Sequence, residues 1–168
     1  MKRGSEDYTQ TLHLEEDPET FRMAAEGATF NQPIEVELSV AKSQDQMICR
    51  GAVRTSAKLE CSRCLAEYDQ GLCSDVNFVV DLAGSLQAAK SEEEGYFVAD
   101  PSSSFFEIDD LVREAIILSL PLKPLCSEDC KGLCPICGAD LNRSRCGCVK
   151  EKTDPRWDQL KGLLNKKS

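Results

Sequence analysis

The sequence predicts an α+β fold: an antiparallel β-sheet body with one packed helix, followed by a small cysteine-rich C-terminal segment and a terminal helix. Three observations lead there. Stretches between residues 34 and 82 alternate apolar and polar side chains, the period of a strand buried on one face. An apolar stretch with helical spacing follows at 109–120. Eight of the ten cysteines fall into four close pairs, three of them beyond residue 125.

Taken in order, Leu12 and Leu14 add a strand near the start. Ile34, Val36, Leu38 and Val40 alternate with Glu35, Glu37 and Ser39. Val53, Thr55, Ala57 and Leu59 share one face of the next strand, opposite Arg54, Ser56 and Lys58. Tyr68, Leu72, Val76, Phe78, Val80 and Leu82 line a third, with Glu67, Asp69, Asp75 and Asp81 on its wet side. The second and third strands flank Cys61-Ser62-Arg63-Cys64 and so read as a hairpin whose turn carries two thiols. Residues 83–104 combine Gly, Ser, Pro and an acidic triplet. They cannot bury enough apolar surface to offset their ordering entropy, which predicts a mobile loop. Asp109 suits the N-cap of a helix with Val112, Ala115, Ile116 and Ser119 on one face, broadened by Leu111 and Leu118. Pro121 and Pro124 stop it. Asp154 and Pro155 then open a last helix, with Trp157, Leu160, Leu163 and Leu164 at helical spacing. The expected division is an acidic body over 1–121 and a cysteine-rich tail over 122–168. No internal repeat is evident.

The 168 residues are 41% hydrophobic, enough for one core. No run approaches the roughly 18 apolar residues of a membrane span, and no apolar run follows the basic Lys2 and Arg3 as in a secretory signal. The expected setting is a reducing cytoplasm, where ten cysteines are metal ligands rather than a disulfide framework. A membrane protein, a secreted disulfide knot and a histone-like basic protein are all disfavoured. Charge is divided unevenly. Residues 1–121 carry 10 Lys/Arg against 23 Asp/Glu, whereas residues 122–168 carry 10 against 6. The tail is therefore mildly basic, less so once four thiolates hold a divalent ion. A solvated lysine-rich terminus accounts for that charge as well as a nucleic-acid footprint does.

The paired cysteines carry the chemistry. A Zn²⁺ bound about 2.3 Å from each sulfur needs thiolates crowded together, which a tight turn supplies. In Cys134-Pro135-Ile136-Cys137-Gly138, the proline and glycine suit such a turn, with backbone amides aimed at the sulfurs. Its natural partner is Cys146-Gly147-Cys148, which makes the tail zinc-ribbon-like. Cys126 and Cys130, four apart, suit one face of a helical turn. Together with Cys61 and Cys64 they form a second set of four, stapling the sheet to the start of the tail. A rival arrangement is one site drawn from the last six cysteines, leaving Cys61 and Cys64 as a dithiol. One or two structural zinc ions are expected. Cys49 and Cys73 read as ordinary core or edge thiols. Four thiolates close a zinc shell, the lone His13 is distant in sequence, and no Ser/His/Asp set or Gly-rich phosphate loop occurs. An enzyme is not expected. A Cys-x2-Cys redox centre is the lesser alternative, since Cys61 precedes no helix pattern, although Arg63 would lower a thiol pKa.

Several of these residues stand together in a recognisable order. Glu60-Cys61-Ser62-Arg63-Cys64-Leu65 precedes a long acidic spacer, then Glu107-Ile108-Asp109-Asp110-Leu111, Glu114 and Leu118-Ser119-Leu120-Pro121-Leu122-Lys123-Pro124. After these come Cys126, Cys130-Lys131-Gly132-Leu133-Cys134-Pro135, Cys137-Gly138, Asp140-Leu141-Asn142 and Asp154-Pro155-Arg156. From about Ile34 to Leu164 the chain resembles the YceD family, in its longer bacterial and plastid form. That family is associated with accumulation of 23S ribosomal RNA, and its genes commonly neighbour that of a zinc-ribbon protein of the large subunit. The resemblance implies a non-enzymatic ribosome-assembly factor. Set beside the charges, it makes Lys131, Arg143, Arg145, Lys150, Lys152 and Arg156 candidates to touch ribosomal RNA phosphates. Base stacking by Trp157 is a lesser candidate contact. The competing class is a protein-interaction module whose acidic sheet face (Glu35, Glu37, Glu67, Asp69) chaperones a basic ribosomal protein without touching RNA.

Overall fold

The computed structural model describes residues 8–82, 95–100 and 105–149. Among them lie six strands and one helix: β1 (Tyr8–Glu16), β2 (Ala28–Phe30), β3 (Ile34–Ser43), β4 (Gln46–Glu60), β5 (Glu67–Asp81), β6 (Tyr96–Val98) and α1 (Asp109–Ser119). The described residues divide into two compact units. One runs to Ser62 and then over Ala66–Cys126; the other comprises Arg63–Leu65 and the residues from Ser127 onward.

The first unit is a mixed, mainly antiparallel sheet in the order β1-β3-β4-β5-β6, with β2 also pairing to β4. Alternation sets its register. Val36 faces Val53 and Leu38 faces Gly51 across β3 and β4, while Val53 faces Ser74 and Cys49 faces Phe78 across β4 and β5. A slip by one residue would turn every apolar side chain to water. The buried face gathers Ile34, Val36, Leu38, Cys49, Val53, Ala57, Leu59, Leu72, Val76, Phe78 and Val80 under Val112 and Ile116 of α1. Phe78, Phe97 and Phe106 close one end, their ring centroids 5.6–6.1 Å apart. Leu12 and Leu14 pair with Leu38 and Val36 as the alternation requires, yet β1 is exposed along its whole length as the sheet's edge.

Four local expectations are corrected. The segment 83–104 is not wholly irregular. Tyr96–Val98 forms β6 and pairs in parallel with Val79–Asp81; the rest of the expected loop, save 95–100, lies outside the described residues. Asp81, expected on the wet face, is buried, because β6 covers it and the Tyr96 hydroxyl donates to its carboxylate at 3.0 Å. Ile108, not Asp109, occupies the N-cap, without a side-chain hydrogen bond. Asp109 and Asp110 instead lie in the first turn, where negative charge meets the helix dipole. Finally, Cys126 and Cys130 do not share a helix: the Cys130 N–H donates to Ser127 O at 3.0 Å, closing a single tight turn. The expected terminal helix at 154–164, including Trp157, lies outside the described residues.

Candidate metal centre

Two short turns organise the thiols, and they have the same construction. In the first, the antiparallel pair Glu60 and Glu67 brackets Cys61–Ala66; in the second, the pair Leu133 and Asp140 brackets Cys134–Ala139. The first cysteine of each donates its N–H to the alanine five residues on: Cys61 to Ala66 O at 2.9 Å, Cys134 to Ala139 O at 2.8 Å. The residue after the second cysteine is left-handed in both, Leu65 at φ 60° and Gly138 at φ 73°. This backbone reversal brings two cysteines three apart onto one side of a turn. A signal for it was present in the sequence as a short repeat, Cys-x2-Cys-x-Ala followed by Glu67 or Asp140. It is too short to register as a repeat of whole elements.

The ligand atoms of Cys134, Cys137, Cys146 and Cys148 all lie within 4.8 Å of one another, and so do those of Cys61, Cys64, Cys126 and Cys130. Sulfurs around one tetrahedral ion bonded at about 2.3 Å stand about 3.8 Å apart, so each set lies within at most a small contraction of closing on a metal. The surroundings of the group containing Cys134 also fit such an ion. The Cys137 and Ile136 backbone N–H groups are directed to Cys134 and, with the Cys146 side chain, hold its pKa down at about 6. By contrast, a hydrogen bond with the Cys137 side chain, followed by burial, pushes Cys148 up to about 12. A thiolate cradled by backbone amides is the form a metal takes up. In addition, the Tyr68 hydroxyl is buried without a hydrogen-bond partner among the described residues. Its pKa is raised chiefly by burial and then by Cys61 and Cys126, against a lowering from the Leu125 backbone. Cys49 is buried, which pushes its thiol up, and Cys73 is exposed on β5; neither joins a group.

Sequence reasoning missed the residues that brace these turns. The Arg63 guanidinium donates to Glu128 O at 3.1 Å and Cys130 O at 2.8 Å, so it caps the Ser127–Cys130 turn. Arg63 O accepts the Leu133 N–H, and Gly132 O accepts that of Leu141. Gly132, at φ 72°, leaves no room for a Cβ, which would stand 2.9 Å from Arg63 O. Asn142 accepts the Lys131 N–H at 2.7 Å and donates to Cys130 Sγ at 3.4 Å.

Of the candidate RNA contacts, Lys131, Arg143 and Arg145 are exposed, with Arg143 paired to Asp140 at 3.4 Å. Lys150, Lys152 and Arg156 lie outside the described residues. Glu35, Glu37, Glu67 and Asp69 are exposed on the wet face of the sheet. That face is not uniformly acidic: Arg50, Arg54 and Lys58 of β4 are also exposed, with Arg54 opposite Glu35, Lys58 opposite Asp69, and Arg54 paired to Glu37 at 3.5 Å. No helix among the described residues is long and apolar enough to cross a membrane.

A family model described as "Large ribosomal RNA subunit accumulation protein YceD" matches residues 49–164, a span that covers both turns and all eight paired cysteines. The chain belongs to the YceD family. Among its relatives, a protein of Arabidopsis thaliana named "Large ribosomal RNA subunit accumulation protein YCED homolog 1, chloroplastic" is 25% identical over 78% of this chain and 48% of its own length. Its Zea mays namesake is 26% identical over 82% and 56%. An uncharacterized protein of Mycobacterium tuberculosis is 29% identical over 80% and 64%. The chain thus spans between about half and two thirds of the length of these YceD-like relatives. No solved structure matches it.

Proposed function

We propose that this YceD-family chain is a non-enzymatic factor that supports accumulation of 23S ribosomal RNA during large-subunit biogenesis in a reducing cytoplasm. Zinc is its structural metal, and the cysteine-rich region meets ribosomal RNA through its exposed basic side chains. The observation that carries the reading is the pair of four-thiol groups inside the span the family model matches. Four sulfurs close a zinc shell and leave no position for a substrate water, so the metal's role is to shape the backbone. Around it, Lys131, Arg143 and Arg145 stand in solvent, where a phosphate backbone can reach them. The interleaved acidic and basic rows of the sheet face support this reading over capture of a basic protein on a continuous acidic surface.

Binding of the zinc-loaded chain to structured large-subunit RNA across a salt series tests it. Affinity should fall steeply with salt, by about 0.9 in the log–log slope for each duplex phosphate engaged. Replacing Lys131, Arg143 and Arg145 together by alanine should flatten that slope by two to three such contacts. Affinity that is absent at low salt, or indifferent to it, refutes the RNA contact. If neutralising Glu35, Glu37, Glu67 and Asp69 instead abolished rRNA accumulation in cells, the basic-protein partner would take its place.

A further inference from the structure

Asn142 belongs to the loop that follows the second turn, yet its side chain acts on a cysteine of the other thiol group. Its Oδ1 accepts the Lys131 N–H at 2.7 Å, which leaves both amide protons to donate. One goes to Asp140 Oδ1 at 2.9 Å and the other to Cys130 Sγ at 3.4 Å. The orientation of the amide follows from these partners: rotated by 180°, it would set its carbonyl against the Asp140 carboxylate and its NH2 against a backbone N–H. The Asn142 backbone N–H donates to the same Asp140 oxygen at 2.9 Å, and Asp140 is the residue that closes the Cys134–Ala139 turn opposite Leu133. One unbroken set of hydrogen bonds therefore runs from the bracket of one cysteine turn to the sulfur of a ligand in the other group.

We propose that Asn142 is a positioning residue through which the two thiol groups fill with metal cooperatively. The inference rests on the reading of both groups as metal sites. Metal at Cys134, Cys137, Cys146 and Cys148 orders the Asp140–Asn142 segment and presents the amide N–H to Cys130. A thiolate that accepts an N–H hydrogen bond is stabilised in the form that binds metal. By linkage, metal at the group containing Cys130 favours the first group by the same factor.

The test is a cobalt(II) titration of the full chain, read by the thiolate charge-transfer band and, in parallel, by mass spectrometry of thiols alkylated at each metal ratio. In the natural chain the singly loaded species should stay scarce. Asn142→Ala should weaken the group containing Cys130 about tenfold or more, so that a species loaded only at Cys134, Cys137, Cys146 and Cys148 accumulates while Cys130 alkylates. Asn142→Asp keeps an acceptor for the Lys131 N–H but brings no donor to the sulfur. It should behave like Asn142→Ala at Cys130, with the other group still filling, at the affinity it has while the group containing Cys130 is empty. If both variants fill like the natural chain, the coupling is refuted and the metal sites stand. If both lose the two groups together, Asn142 is only a structural residue and the proposal also falls. If the natural chain takes up no cobalt, the metal reading itself has failed.

Discussion

The turn at Cys61–Ala66 and the turn at Cys134–Ala139 share one backbone and differ in what holds it. The first is the tip of a long antiparallel ladder that continues from Glu60 and Glu67 down the whole of β4 and β5. That ladder belongs to a core in which Ile34, Val53, Val80, Val112 and Ile116 are essentially inaccessible to water. The second turn is closed by the single bridge between Leu133 and Asp140. Near it, the buried residues from 127 to 149 are Cys130, Gly132 and Cys134, with no large aliphatic side chain among them. The same local turn thus has an apolar core behind it in one place and, in the other, a group of four thiols with no such core.

Removing metal should separate the two most sharply. Binding at a structural zinc site is worth about 10–16 kcal/mol, as much as the about 5–15 kcal/mol that stabilises a whole domain. After treatment with a strong chelator, hydrogen exchange should show the amides of Cys134, Gly138 and Leu141 unprotected. The Cys61 amide and those of β3, β4 and β5 should keep much of their protection, because the hairpin that presents Cys61 has its own core. Persistent protection at Cys134 would mean that the second turn needs no ion, and the contrast between the turns would disappear.

Two glycines grade the effect within the second region. Gly132→Ala forces a left-handed conformation that costs an L-residue about 1–2 kcal/mol, and it adds a Cβ that would press on Arg63 O at 2.9 Å. Gly138→Ala carries the same conformational cost, but its Cβ would meet nothing within 4 Å. In denaturant titrations of the metal-loaded protein, Gly132→Ala should lose clearly more stability than Gly138→Ala, and Gly138→Ala about 1–2 kcal/mol. Equal losses would show that the Arg63 carbonyl yields freely and does not brace the turn.

How much of this was legible in the sequence depended on range. The period-two alternation from Ile34 to Leu38 and from Leu72 to Val80 reports a physical requirement of each strand by itself, and the strands stand where it put them. β2 and β6 are three residues each, too short to show a period. Asp81 looks like a surface acid until Tyr96 is laid beside it, a pairing that depends on a partner 15 residues away. The four-residue spacing of Cys126 and Cys130 is also the spacing of a helical face; only the Ser127 O contact reveals the tight turn. At the thiols, close pairs were visible because residues three apart can meet only through a turn, which is a local property. Arg63 and Asn142 were not visible, because their work is done on backbone and sulfur distant in the sequence. Gly138 announces a left-handed position and Leu65 does not, although the backbone there is the same.

That last difference yields the smallest expected effect. Leu65 is held at φ 60° with 57% of its surface exposed. Leu65→Gly relieves about 1–2 kcal/mol of left-handed strain. It forfeits the partial burial of a side chain worth about 1.5–3 kcal/mol if wholly buried, and adds about 0.5–1 kcal/mol of chain entropy to be lost on folding. These contributions nearly cancel, so the denaturation midpoint of the metal-loaded protein should move by less than about 0.5 kcal/mol. The reciprocal change, Gly138→Leu, gains no comparable burial, because the space at its Cβ is open, and should cost the full strain. If Leu65→Gly instead lost about 2 kcal/mol, the first turn would depend on its leucine side chain as well as on the ladder behind it.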